Sequence, residues 1–250
     1  MIDIKNKIIV VVGGSGKIGS HLCTGLIEEG AIVVSLSRKI NSFVHCRLTS
    51  KKIDVTSSLE FTSVLNEISS EIGEISALVN CACYRPLVNQ KKLPSEIDTT
   101  LWSNSILQNS LLLHIPSSLI ADYMDSKNIQ GSVVNISSIY GVVAPNFNIY
   151  SNTSLTTEPD YAYNKSAVIG YTRYMASKYS GSNIRFNVIV PGGFLDGQED
   201  RFVANYSQNV PLSRMGAYKD ICGLVHFLCS NSSSYMTGSV ITLDGGWTLI

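Results

Sequence analysis

The chain has 250 residues, 44% hydrophobic and 15% charged, with 19 lysines and arginines balancing 19 aspartates and glutamates. Zero net charge argues against a nucleic-acid groove or an anionic membrane surface as the main partner; it favours association, so a homo-oligomer is expected. The composition is ample for a large core, and with no linker-like tract or internal repeat the reading is one domain over 1–250.

Taken in chain order, the polar start Met1–Lys7 leads into the apolar run Ile8–Val12, which stops at Gly13. That run is too short for a signal-peptide core or a membrane span, so a cytoplasmic protein without membrane partners is expected. Strands are predicted at Ile8–Val12, Ile32–Leu36, Lys52–Val55, Ala77–Asn80, Ser132–Ser137, Arg185–Val190 and Val240–Leu243. Helices are predicted between them at Ile18–Glu29, Ser58–Ile72, Ser103–Ser126, Tyr161–Ser180 and Lys219–Cys229. Short, nearly continuous apolar strands alternating with helices predict a parallel sheet covered on both faces, the doubly wound α/β class. Ligands in such sheets bind outside the carboxyl ends of the strands. The six cysteines (23, 46, 81, 83, 222, 229) form no C-x-x-C pair and are read as reduced, mostly buried thiols. The four histidines are scattered, and no metal site is expected.

Between the first strand and first helix lies Gly13-Gly-Ser-Gly16-Lys-Ile-Gly19. Glycines there let a pyrophosphate meet free N–H groups at a helix N-terminus, where a Cβ would stand in the way. Gly14-x-Gly16-x-x-Gly19, after a strand and before a helix, fits a dinucleotide loop. A phosphate-binding loop of the nucleotide-hydrolase kind fails, because Val11 stands where its first glycine is required and Ile18 where its Ser or Thr is required. Candidate cofactor contacts here are Gly13, Ser15, Gly16, Lys17, Ile18 and Gly19. The second strand ends Ser37-Arg38-Lys39 without a carboxylate for a ribose hydroxyl. Ser37 and Arg38 suit a 2′-phosphate, with Lys17 adding charge, so NADP(H) is favoured over NAD(H). Asp54 and Val55, at the end of the third predicted strand, would flank the adenine.

Tyr161-Ala-Tyr-Asn-Lys165 opens a helix, and positions four apart share a face. A phenol beside an ammonium and a cationic nicotinamide exchanges its proton more readily than a free one. Tyr163 competes but has Ala167 four residues on. Ser138 closes the fifth strand at the binding edge, where a hydroxyl can stabilise a developing alkoxide; Ser137 is the alternative. Asn109 lies in an otherwise apolar helical stretch and needs partners if buried.

Together these residues resemble the short-chain dehydrogenase/reductase family, from the glycine loop to Met236–Trp247. The resemblance implies a seven-stranded Rossmann sheet, assembly into tetramers or dimers, and a catalytic tetrad of Asn109, Ser138, Tyr161 and Lys165. Asn109 and Lys165 would hold a proton-relaying water chain, with Lys165 also on the nicotinamide ribose. Asn80 and Ala82 would line the cofactor, and Pro191, Gly192 and the backbone to Phe194 would dock the carboxamide. Three features depart from the family pattern: Lys17 in the glycine loop, Cys83 where a glycine is usual, and about ten extra residues between Ser138 and Tyr161. The polar insert at about 142–159 is expected to bulge into the substrate pocket, facing a lid at about 192–214 that includes Gln198, Arg201, Asn205 and Tyr206. Insert and lid are similar to those of bacterial oxidoreductases of flagellin modification and surface-glycan sugars, implying a polyhydroxylated small-molecule substrate. Two other readings are a sugar-nucleotide epimerase or dehydratase, whose larger carboxyl-terminal domain this chain is expected to lack, and a non-catalytic NADP-sensing protein, which commonly loses part of the tetrad.

Overall fold

The computed structural model describes residues 3–86 and 93–249, so Met1 and Ile2 of the polar start lie outside the described residues. Seven strands form one parallel sheet in the order β3-β2-β1-β4-β5-β6-β7. They are β1 (Ile8–Val12), β2 (Ile32–Ser37), β3 (Leu48–Lys52), β4 (Ile75–Asn80), β5 (Gly131–Ile136), β6 (Ile184–Pro191) and β7 (Val240–Leu243). The order reverses between β1 and β4, which opens a crevice at their carboxyl ends. Alternate residues of the strands feed two cores. Val10, Val12, Leu78 and Phe186 pack on one face, and Val11, Val33, Val79 and Ile189 on the other. β1, β4 and β5 are buried along their full length, apart from half-buried Ser76, which is why they read as unbroken apolar runs.

The helices are α1 (Lys17–Glu28), α2 (Ser58–Glu71), α3 (Thr99–Ser126), α4 (Pro159–Lys178), α5 (Asp200–Ser207) and α6 (Tyr218–Cys229). Caps account for where several begin. Asp98 accepts from Thr100 N–H at 2.7 Å and Leu101 N–H at 3.2 Å, so α3 starts four residues before the predicted Ser103. Pro159 occupies the first turn of α4, where its missing N–H leaves no helical bond unmade.

Three expectations need correction. The third strand is Leu48–Lys52, not Lys52–Val55. It is an edge strand paired only to β2, and its sequence Leu-Thr-Ser-Lys-Lys carries no apolar run. The apolar Ile53 and Val55 instead turn their side chains into the core below. Secondly, the lid contains an ordered helix, α5, too short to announce itself by periodicity. Finally, only Cys23 and Cys229 are buried; Cys81, Cys83 and Cys222 are half-buried and Cys46 is exposed.

Candidate active site

The glycine loop crosses the carboxyl end of β1 and is shaped by backbone contacts. Gly13 has φ +83°, and a Cβ on it would lie 2.8 Å from the Ala82 nitrogen. A Cβ on Gly19 would lie 2.1 Å from the Gly13 carbonyl oxygen. Gly16 differs: its Cβ position meets only the Gly13 oxygen, at 3.2 Å, and is otherwise open. Gly16 is also the N-cap of α1, with no side-chain cap and no acidic residue in the first turn. The first N–H groups of α1 thus face an open, uncapped space, which is what a bound pyrophosphate needs. The loop fits the phosphates of a dinucleotide despite Lys17.

Lys17 itself turns away from that role, because its ammonium pairs with Asp196, in the segment after β6. Ser37 is buried, and its hydroxyl accepts from Ser15 N–H at 3.1 Å, tying the glycine loop to β2. Arg38 is exposed next to them. The Asp54 carboxylate accepts from Thr56 N–H and Oγ1 at 2.9 and 2.7 Å, which, with Arg38 nearby, holds it below the usual carboxylate range. Of the expected 2′-phosphate contacts, Arg38 alone presents an exposed charge that no ion pair among the described residues engages.

At the end of β5 the two serines divide. Ser137 Oγ donates to the Lys165 carbonyl at 2.6 Å, locking β5 to α4. Ser138 Oγ accepts from Tyr140 N–H at 3.3 Å, and the Tyr140 ring meets the Tyr161 ring edge-on, centroids 6.3 Å apart. Lys165 is buried; its Nζ donates to the Ile136 carbonyl at 3.1 Å and stands 5.8 Å from the Tyr161 ring centroid. Tyr163 points outward, 55% exposed. Tyr161 and Lys165 therefore lie together at the carboxyl end of β5, with Ser138 joined to them through Tyr140.

Asn109 is placed differently. Its Nδ2 donates to the Tyr84 and Ser105 carbonyls at 2.8 and 2.9 Å, and its Oδ1 accepts from Tyr84 N–H at 3.0 Å. The amide clamps the segment after β4 onto α3. It also lines a cavity of about 40 Å³ with Asn80, Asn135, Asn164 and Lys165, large enough for about three waters. Asn80 Oδ1 is buried there without a protein partner, while its Nδ2 donates to the Leu112 carbonyl at 2.9 Å.

The backbone after Pro191 is partly committed. Gly192 N–H donates to the Leu243 carbonyl at 3.0 Å and Gly193 N–H to the Tyr206 hydroxyl at 2.6 Å. Phe194 is buried, and its carbonyl accepts from Gln198 at 2.8 Å. Tyr206, expected on a mobile lid, is instead 3% exposed and stacked on Trp247 at 4.5 Å; burial pushes its phenol up to about 12.

The insert does not simply bulge. Ile149 is buried in a core with Phe202 and Tyr206 of α5. Asn205 Nδ2 donates to the Ile149 and Ser151 carbonyls at 3.1 and 3.3 Å, Asn146 donates to Asn209, and Ser154 donates to Glu199. Much of its polarity therefore holds the lid rather than awaiting a ligand.

Sequence reasoning missed Arg85, whose guanidinium carbon lies 4.6 Å from the Tyr161 ring centroid, and Tyr140. A single arginine in a loop carries no spacing signal; Tyr140, two residues past Ser138, was within reach of the strand argument.

The family described as Enoyl-(Acyl carrier protein) reductase matches residues 15–248. Post-translational flagellin modification protein A of Campylobacter coli is 28% identical over 98% of this chain and 100% of its own length. The 3-oxoacyl-[acyl-carrier-protein] reductase FabG of Chlamydia muridarum is 28% identical over 96% and 97%. Among solved structures, a short chain dehydrogenase from Leptospira borgpetersenii with bound NAD+ superposes with a TM-score of 0.90 at 28% identity, covering 98% of this chain and 94% of that one.

Proposed function

The chain belongs to the short-chain dehydrogenase/reductase family, oxidoreductases that use a nicotinamide cofactor, and from that premise we propose that it interconverts a ketone and an alcohol on a polyhydroxylated, sugar-like metabolite. The observation that carries the reading is the gathering of Tyr161, Lys165 and Ser138 at the carboxyl end of β5. When bound, the cofactor supplies or accepts the hydride; the residues of the chain manage the proton. In reduction the Tyr161 hydroxyl gives its proton to the carbonyl oxygen, and in oxidation it takes one from the alcohol. Ser138 Oγ would donate a hydrogen bond to that same oxygen as negative charge develops. The buried Lys165 ammonium stabilises negative charge on the Tyr161 oxygen. Waters in the cavity between Lys165 and Asn80 return the proton, with Asn109 shaping the cavity through its clamp on Tyr84.

The open first turn of α1 would hold the pyrophosphate, with the Gly13–Gly19 backbone around it. Ser15 and Ile18 would flank the pyrophosphate, Asp54 the adenine, and Asn80, Ala82 and the Pro191–Phe194 backbone the nicotinamide half. Arg38 supports a preference for NADP(H), since no carboxylate ends β2; the Leptospira relative holds NAD+. The sugar-like substrate rests on the likeness to the flagellin modification protein. We also place the protein in the cytoplasm as a homo-oligomer of two or four copies; among the described residues no helix is long and apolar enough to cross a membrane.

The test is a panel of polyols, sugars, sugar phosphates and nucleotide sugars with NADP+ and NAD+, and of their keto forms with NADPH and NADH, read by nicotinamide absorbance. Net reduction or oxidation of a polyhydroxylated compound supports the reading. Turnover of acyl-thioester ketones alone would overturn the substrate class, and release of no oxidised or reduced cofactor with any compound would overturn the reaction.

A further inference from the structure

We infer that Arg85 is an anion anchor in the substrate pocket, and that the substrate carries a carboxylate or phosphate group close to the carbon that reacts. This rests on the reading of Tyr161 as the proton-transferring group, because Arg85 is located by that ring.

Three observations meet at Arg85. Its guanidinium carbon lies 4.6 Å from the Tyr161 ring centroid, so its charge sits at the face of the reacting phenol. The same charge acts on the Tyr150 phenol, whose hydroxyl lies 2.8 Å from that of Tyr140 beside Ser138. Secondly, the segment bearing Arg85 is held. Tyr84, its neighbour, is bonded through both N–H and carbonyl to Asn109, and its hydroxyl accepts from Asn104 Nδ2 at 3.2 Å. Asn109 thereby becomes a positioning residue for the arginine.

The third observation is the missing counter-charge. Among the described residues the ion pairs are Lys17–Asp196, Lys51–Glu67 and Arg214–Asp220, and none includes Arg85. The Asp160 carboxylate accepts from Ser105 Oγ at 2.5 Å and that of Glu199 from Ser154 N–H at 2.9 Å, and neither is paired with Arg85. The sequence Leu87-Val-Asn-Gln-Lys-Lys92 contains no acid. A guanidinium resting on an aromatic face leaves its N–H edges free, and those edges match the two oxygens of a carboxylate or phosphate. Hydroxyls alone would be served by the Asn, Ser and Thr side chains around the cleft, which need no fixed cation.

The test titrates the enzyme–NADP+ complex calorimetrically with three compounds sharing one six-carbon polyol skeleton: neutral sorbitol, gluconate and sorbitol 6-phosphate. Wild type is expected to bind at least one of the two anions about tenfold more tightly than sorbitol, and the favoured anion separates carboxylate from phosphate. R85Q is expected to erase that preference with NADP+ affinity unchanged, and R85K to keep part of it. Equal affinity for all three, binding of neither anion, a preference that survives R85Q, or an R85Q defect confined to NADP+ would overturn the assignment. Binding does not depend on proton transfer, so failure here is separable from failure of the Tyr161 role, which Y161F turnover tests on its own.

Discussion

Around Gly13–Gly19 the cleft is formed by main chain against main chain, whereas around Phe147–Val210 it is stitched by amide and hydroxyl side chains. In the first region, Gly13 and Gly19 bring backbone atoms closer than any Cβ permits, and β1 lies beneath them paired on both sides, to β2 and β4. In the second, Asn205 of α5 bonds to the insert, Asn146 and Ser154 bond to Asn209 and Glu199 flanking that helix, and Tyr206 anchors the segment after β6. Backbone complementarity has one solution and suits a cofactor common to many relatives. Side-chain stitching tolerates exchange at individual positions, and suits a pocket that distinguishes one substrate from another.

Substitutions on either side sharpen that contrast. The largest effect is expected from G19A, whose new Cβ would collide with the Gly13 carbonyl, a backbone atom unable to step aside. A loss of about 3 kcal/mol or more is predicted, beyond ordinary overpacking, seen as a lower Tm without cofactor. G16A, whose Cβ would meet only the Gly13 carbonyl oxygen at 3.2 Å, should lose far less Tm than G19A and lose cofactor affinity instead. If both behave alike, the loop is not divided into a packed side and a ligand side. Next is R38A, expected to weaken NADPH about tenfold while NADH binding holds; equal losses for the two cofactors in fluorescence titrations would remove the NADP preference.

N205A tests the stitched half. Two hydrogen bonds to the insert are lost, so about 1 kcal/mol of stability should go. The substrate KM should rise while cofactor affinity holds, and an unchanged KM would mean the insert does not shape the pocket. The smallest effect concerns His226, remote from the cleft in α6. It is buried, its Nε2 has no partner, and burial holds its pKa below the usual 6.5. The unfolded chain then takes up a proton first as pH falls, so stability is full above about pH 6.5 and declines below it. Urea unfolding at several pH values should show that decline, and H226Q should flatten it.

The same contrast governs what the sequence discloses. Strands buried on both faces advertise themselves as apolar runs, so the sequence marks β1, β2, β4, β5 and β6 nearly to their ends; the half-buried edge strand β7 is marked by its largely apolar Val-Ile-Thr-Leu. β3 was misplaced because an edge strand needs no such run. The Tyr161–Lys165 spacing and Ser138 at a strand end were legible because a helix face and a sheet edge fix where they point. Ser37, Lys17 and Asn109 stand out as candidates in the sequence, but their partners, Ser15, Asp196 and Tyr84, are distant or unpatterned in it. No periodicity encodes such pairings, and the same holds for Arg85 over Tyr161.

The most direct test compares Y161F with wild type by single-turnover hydride transfer and by cofactor titration. If the Tyr161 hydroxyl carries the proton, the rate falls about 10²- to 10⁴-fold while NADPH affinity and Tm stay as they were. A variant that turns over at the wild-type rate would contradict the account.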